Sequence, residues 1–312
     1  NASLVCPERD CLLDSLPQMI WHIEEPPSAH GVYPRWKIAE VASQHLKVLL
    51  VGQGADEILA GYSHYNIDLL EDFASNGHVS TALKEWACDL QGQGLRVALR
   101  RFRAFLNRVK PQKSTKTNQP ESELGPLLQG MNPTLPEVRK SFGNTSALNE
   151  HLRYDSRYGI LPNLLNYEDK INMAFSIESR DPFLDYRLAE FASTLGARAK
   201  IGNGWSKLIL REAMTDLIPT DVRWRRKKMG FPTPYKAWLG GALFEEMQMR
   251  ILDSSFCHEG YVNRQIIEKR LTEFGQGVSQ NTSFIWKLLC LSMWNEAREN
   301  LSDVSYAVPS GR

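Results

Sequence analysis

The residues best suited to chemistry lie in Val51-Gly52-Gln53-Gly54-Ala55-Asp56-Glu57. An apolar, β-branched run of strand length at 47–51 ends in the Gly-x-Gly turn, and Ile58-Leu59-Ala60 begins a helical pattern. Glycine lets a backbone approach its ligand, and amide N–H groups at a helix start point at anions, so the segment reads as a phosphate-binding corner. Asp56 and Glu57 would repel a bare phosphate. If they are there for chemistry, at least one holds a divalent cation that bridges to the phosphates, as Mg²⁺ does with one or two carboxylates. The competing reading is a buried strand, a turn and two acids that complement a helix dipole.

The elements that must position this corner are mostly helical. Leu12, Leu13, Leu16, Met19, Ile20 and Ile23 fall at helical spacing, with Pro17 expected to break the pattern. Residues 38–42 read as a helix leading to the strand, helical periodicity runs across 83–106, and Gly202-Asn203-Gly204 is a turn before a helix at Lys207. Residues 107–136 hold five prolines and read as a surface loop or insertion. One confident strand is few for a parallel sheet, whose strands are buried on both faces.

With 312 residues the chain can form one large domain or two fused lobes. A net charge of +1 argues against a nucleic-acid arm or a polybasic membrane patch, and no apolar run approaches the ~18 residues of a membrane span. Five cysteines without a C-x-x-C pair indicate neither a disulfide framework nor a zinc knuckle, which fits a reduced, cytoplasmic compartment. The seven histidines show no metal-ligand spacing and read as structural or exposed. The basic run at 223–228 adjoins Met229-Gly230-Phe231-Pro232 and reads as an anion-facing loop.

Three further segments accompany the glycine turn. L-P-N-L-L-N-Y-E-D-K-I-N-M-A runs from Leu161 to Ala174 and continues to E-S-R-D-P-F-L-D at 178–185. K-L-I-L-R-E-A starts at Lys207, and R-K-K-M-G-F-P-T-P starts at Arg226. In this order and spacing the four resemble the synthetase domain of glutamine-dependent asparagine synthetases, whose S-G-E-G-x-D-E loop is also followed by Gly-Tyr, here Gly61-Tyr62. The closing stretch at 285–294 resembles that family's last helix. The resemblance covers most of residues 12 to 296.

The resemblance implies an α/β, mainly helical fold: the remnant of an adenine-nucleotide α-hydrolase-like parallel sheet with a large helical C-terminal part. Residues 1–312 would be a synthetase domain without its S-G-G-x-D-S pyrophosphate loop and without the N-terminal glutaminase domain, inactive as a segment. The implied reaction uses ATP and Mg²⁺ to adenylate the side-chain carboxylate of aspartate, and ammonia from glutamine then gives asparagine. A homodimer is compatible with it.

Carried onto this chain, the resemblance makes Asp56 the Mg²⁺ ligand, sets Val51, Gly52 and Gly54 against the nucleotide, and makes Lys228 the transition-state cation, with Lys227 an adjacent rival. Lys170 could reach the pyrophosphate or be a surface lysine. Glu178 could orient the ammonia, Arg180 reads rather as its structural ion-pair partner, and Asp185 as a helix N-cap. Two positions depart from the family. Val51 replaces Ser, and Gln53 replaces the Glu credited with acyl-adenylate formation, keeping the size but losing the charge. A related amidotransferase, a β-lactam-synthetase-like ligase or a catalytically silent module of the same fold are the alternatives.

Overall fold

The computed structural model describes residues 2–29, 31–109, 146–226, 230, 233–258 and 262–299. The chain opens with α1 (Leu12–Ile23), whose six predicted apolar positions are all buried. Pro17 does not break it but lies inside. One lost i→i−4 bond is outweighed by the burial of the whole apolar face. The second helix, α2 (Val32–Ser43), starts earlier than the sequence suggested and buries Tyr33 and Trp36. Then come β1 (Val48–Leu50), the short α3 (Ala55–Leu59), α4 (Tyr65–Ser75), α5 (Val79–Gln93) and α6 (Leu95–Val109). Gly94, at φ 85°, separates the last two. Helix α6 takes in the first residues of the expected 107–136 loop, and the rest of that segment lies outside the described residues.

The second half begins with α7 (Ala147–Arg157), capped by the Ser146 hydroxyl, and α8 (Ile160–Ala174). β2 (Glu178–Arg180), a 3₁₀ turn at Pro182–Leu184 and α9 (Tyr186–Thr194) follow. Asp185 caps α9 by accepting from Arg187 N–H, as expected. After α10 (Ala197–Lys200), the predicted turn at Asn203-Gly204 proves to join two strands, β3 (Ile201–Gly202) and β4 (Trp205–Ser206). Both turn residues have positive φ, 52° and 73°, the conformation that Asn-Gly hairpins adopt. The remaining helices are α11 (Leu208–Ala213), α12 (Thr220–Arg223), α13 (Tyr235–Leu239), α14 (Phe244–Asp253), α15 (Ser255–His258), α16 (Arg264–Gly275) and α17 (Thr282–Glu299).

The architecture is mainly helical with few strands, as expected. A large core joins α1, α2, α8, α14, α16 and α17. Trp286 is fully buried there, and its indole N–H donates to Pro27 O at 3.0 Å. A second cluster packs Tyr65, Leu69 and Phe73 of α4 on Leu148 and Leu152 of α7. A third places Ile58 and Leu59 of α3 against Ala192 of α9. No helix among the described residues is long and apolar enough to cross a membrane.

β1 and β2 pair in parallel, Val48 opposite Glu178 and Leu50 opposite Arg180, and Val51 N–H extends the ladder to Arg180 O at 2.9 Å. β1 and β2 thus form a two-stranded parallel sheet, in which β1 is not central. Among the described residues it has one neighbour, and Leu50 is 73% exposed.

Candidate functional site

Parallel pairing sends β1 and β2 out of the sheet in the same direction. Their carboxyl ends bring the Gly52-Gln53-Gly54 turn beside Asp181-Pro182-Phe183-Leu184, the place where open parallel sheets bind ligands. Gly54, at φ 83°, lies so close to Leu184 that a Cβ there would stand 2.1 Å from its Cδ2. Gly52 is the opposite case: a Cβ would meet no protein atom within 4 Å, so its backbone faces open space. Helix α3 is only five residues long, so it supplies no long helix dipole at this turn.

Of the two carboxylates after the turn, Glu57 is almost fully buried and accepts a hydrogen bond from Tyr62 Oη at 2.6 Å. Burial, then that bond, pushes the Tyr62 phenol well above its ordinary range. Asp56 is partly exposed and pairs with Lys207 Nζ at 3.1 Å. Lys207 holds a left-handed backbone, φ 52°, at the N-terminus of α11. The pair closes over Gly61, where a Cβ would come within 1.7 Å of Asp56 Oδ1 and 2.3 Å of Lys207 Cε. The Gly-Tyr after the loop is thus a contact requirement.

Gln53 Nε2 donates to Glu168 Oε2 of α8 at 2.5 Å. Arg35 of α2 lies 3.9 Å from the same oxygen. Asp181 completes the group: burial, then the charge of Glu168, pushes its carboxyl above the usual range, and its Oδ1 is buried without a hydrogen-bond partner. Asn172 Nδ2 donates to Ser179 Oγ at 2.6 Å, which ties α8 to β2 and fixes Glu168 relative to the turn.

The structure thus brings together Val51, Gly52, Gln53, Gly54 and Asp56. Glu178 is exposed on β2 and pairs with Arg180, also exposed, at 2.9 Å. Lys170 donates to Ile23 O and Glu24 Oε2, both at 2.9 Å, so its ammonium caps the end of α1 rather than joining the Gln53–Glu168 pair. Lys227 and Lys228 lie outside the described residues. Arg226, two positions before Lys228, stacks 3.8 Å from the Trp205 ring centroid and lines a cavity of about 500 Å³ together with Gly61.

Sequence reasoning passed over Lys207, Glu168, Asp181 and Arg35. Two signals were available: Lys207 heads the third motif, and Gln53 places an amide donor in the glycine turn, which calls for an acceptor.

The asparagine synthase family profile matches residues 2–296. The chain belongs to that family. It is 30% identical over 304 residues to a putative glutamine-hydrolysing asparagine synthetase of Mycobacterium tuberculosis, covering 92% of this chain and 45% of that protein. It is 28% identical over 309 residues to glutamine-hydrolysing asparagine synthetase 1 of Bacillus subtilis, covering 94% and 47%. A third relative, the amidase chyE of Penicillium rubens, is 26% identical over 309 residues, covering 86% and 45%. The chain spans about half the length of these relatives. As an asparagine synthase family member, it carries the glycine loop with Gln at position 53 and with Glu168 in hydrogen-bond contact.

Proposed function

We propose that this chain is the synthetase part of an ATP-dependent amide-forming ligase that makes asparagine from aspartate and glutamine-derived ammonia. A side-chain carboxylate oxygen of aspartate attacks the α-phosphorus of ATP, and the bond to pyrophosphate breaks. Ammonia then attacks the acyl carbon, AMP leaves with the C–O electron pair, and the nitrogen loses a proton. The sheet would be the remnant of a nucleotide-binding α/β half, its Gly52–Gly54 turn open for phosphates. The observation that carries the reading is the convergence, at the carboxyl ends of two parallel strands, of that turn with one partly exposed carboxylate, Asp56, held by its lysine.

Asp56 fits Mg²⁺: it offers a hard oxygen, and one or two carboxylates plus substrate phosphates are the usual set for this ion. When bound, the ion would neutralise charge on the phosphates. Lys207 orients Asp56. Lys228, which lies outside the described residues, would serve as the cation facing the transferring phosphoryl group, a role that rests on the Arg226–Pro234 motif alone. Lys170 could reach the pyrophosphate only by leaving the end of α1. Glu178 would orient ammonia only after release from Arg180.

Glu168 supplies the negative charge that the family's loop carries at position 53. Gln53 positions it by donating to Oε2, and a carboxylate there accepts the proton lost from the attacking nitrogen. The same departure favours a second reading, a related ligase with another carboxylate substrate. Both are tested by giving the full-length protein ATP, Mg²⁺, an ammonia source and single carboxylates. Asparagine and AMP with aspartate support the first, and an amide from another carboxylate supports the second. No AMP with any carboxylate leaves a catalytically silent module.

A further inference from the structure

Outside the glycine turn, the structure gathers a second group of side chains that the spacing of histidines did not reveal. His64 precedes α4, while His151 and Asp155 stand one turn apart on the same face of α7. One ligand atom from each lies within 4.8 Å of the others. We propose that His64 Nε2, His151 Nε2 and Asp155 Oδ2 form a binding site for a divalent transition metal, with Zn²⁺ the best match.

Three features carry this assignment. First, His151 Nε2 stands 3.5 Å and His64 Nε2 3.6 Å from Asp155 Oδ2. Both exceed the 2.7–3.2 Å of good N–H···O hydrogen bonds. They are near the ~3.3–3.4 Å that separates ligand atoms at the corners of a tetrahedron with metal bonds of ~2.0–2.1 Å.

Second, each inner ligand has an outer partner of the kind metal sites use. His151 Nδ1 contacts Asp68 Oδ2 at 2.8 Å, the carboxylate–histidine pairing that orients a ligand ring, and its Nε2 is turned toward Asp155. Tyr65 Oη donates to Asp155 Oδ2 at 2.7 Å.

Third, the site has an entrance. The Asp155 side chain is 5% exposed but that of His64 is 39% exposed. His64 also lines the cavity of about 500 Å³ shared with Tyr62 and Arg226. A fourth position would open on that side, the arrangement of sites with three protein ligands and one exchangeable one. Two imidazoles and one carboxylate suit zinc, whereas Mg²⁺ prefers oxygen ligands throughout, so this site and Asp56 select different ions. Bound metal would clamp the α4–α7 packing behind Gly61-Tyr62.

The test is Zn²⁺ titration of the full-length protein against a chromophoric chelator, with Co²⁺ as a spectroscopic replacement. The wild type is expected to bind one more equivalent than His64→Ala or His151→Ala and to show Co²⁺ d–d bands of tetrahedral intensity that both variants lose. Asp68→Asn should retain the site with affinity ~10–100-fold weaker. Circular dichroism establishes that each variant is folded. His64 is partly exposed, so His64→Ala keeps the test decisive if His151→Ala does not fold. Equal zinc uptake by wild type and folded His64→Ala, or no d–d bands in the wild type, overturns the proposal and leaves a proton-linked His–Asp cluster.

Discussion

Lys207 and Asp56 meet at 3.1 Å across the Cα of Gly61, although one heads α11 and the other belongs to the first turn of α3. The contact joins two of the four motifs and explains the glycine that follows the loop. It also converts the site into stability and activity expectations.

Gly61→Ala is expected to destabilise the protein by about 1–3 kcal/mol, the range for forcing extra atoms into a packed site. The new Cβ must displace either Asp56 or the Lys207 stem. Urea denaturation of wild type and variant measures this, and an unchanged midpoint would mean that the pair is not seated over Gly61.

Lys207→Met should cost about 1–3 kcal/mol of stability, since it takes the cation from a carboxylate whose paired oxygen is buried. If Lys207 orients Asp56 for catalysis, turnover should fall far more than the unfolding free energy. Steady-state kinetics beside a denaturation curve separates the two.

Glu168→Gln is expected to lower turnover on the order of 10²-fold, a usual worth of an oriented proton acceptor. Gln53→Glu alone should also be harmful, because it sets a second carboxylate against Glu168 where a 2.5 Å hydrogen bond now lies. The double swap, Gln53→Glu with Glu168→Gln, restores one charge and one amide. It should recover part of the lost rate, and a double variant no better than either single one would refute the relocated-charge account.

Asp181 gives a pH signature. Its folded carboxyl titrates above the ordinary aspartate value of 3.8, because burial and then Glu168 disfavour the charged form. The folded state therefore holds its proton longer than the unfolded one, and stability falls as pH rises from that value through the raised one. Asp181→Asn should stabilise the protein at neutral pH, with the gain vanishing below the ordinary value. A gain that persists at low pH would point to packing instead.

Lys200 has the mirror behaviour. It is buried, donates to Asn149 Oδ1 at 2.8 Å, and burial lowers its pKa from 10.5 to about 8. Between these values the folded state releases its proton first, so stability rises with pH across that window. Lys200→Met should be more stable than wild type at pH 7, and the difference should shrink as pH approaches 10.5. Thermal melts across that range read the trend directly.

Local signals carried much of this architecture. The face of α1 was legible because helical periodicity repeats over three turns, and β1 with its glycine turn because an apolar run ends in residues that favour turns. Pro17 misled because helix propensity is weak beside burial. β3 and β4, two residues each, are too short for any alternation to register. Glu168 was hidden because an acid in a helical pattern usually faces solvent, whereas here Gln53 and Arg35 face it. Lys207 depended on a left-handed backbone at its own position. His64 and His151 share no sequence spacing at all, and only the packing of α4 on α7 unites them.

The most direct measurement is aspartate-dependent exchange of pyrophosphate into ATP by the full-length protein, wild type against Asp56→Asn. The account predicts exchange in the wild type and a loss of ~10²–10³-fold in the variant, with the fold retained. Undiminished exchange in Asp56→Asn, or no exchange by the wild type with aspartate or any other carboxylate, would contradict it.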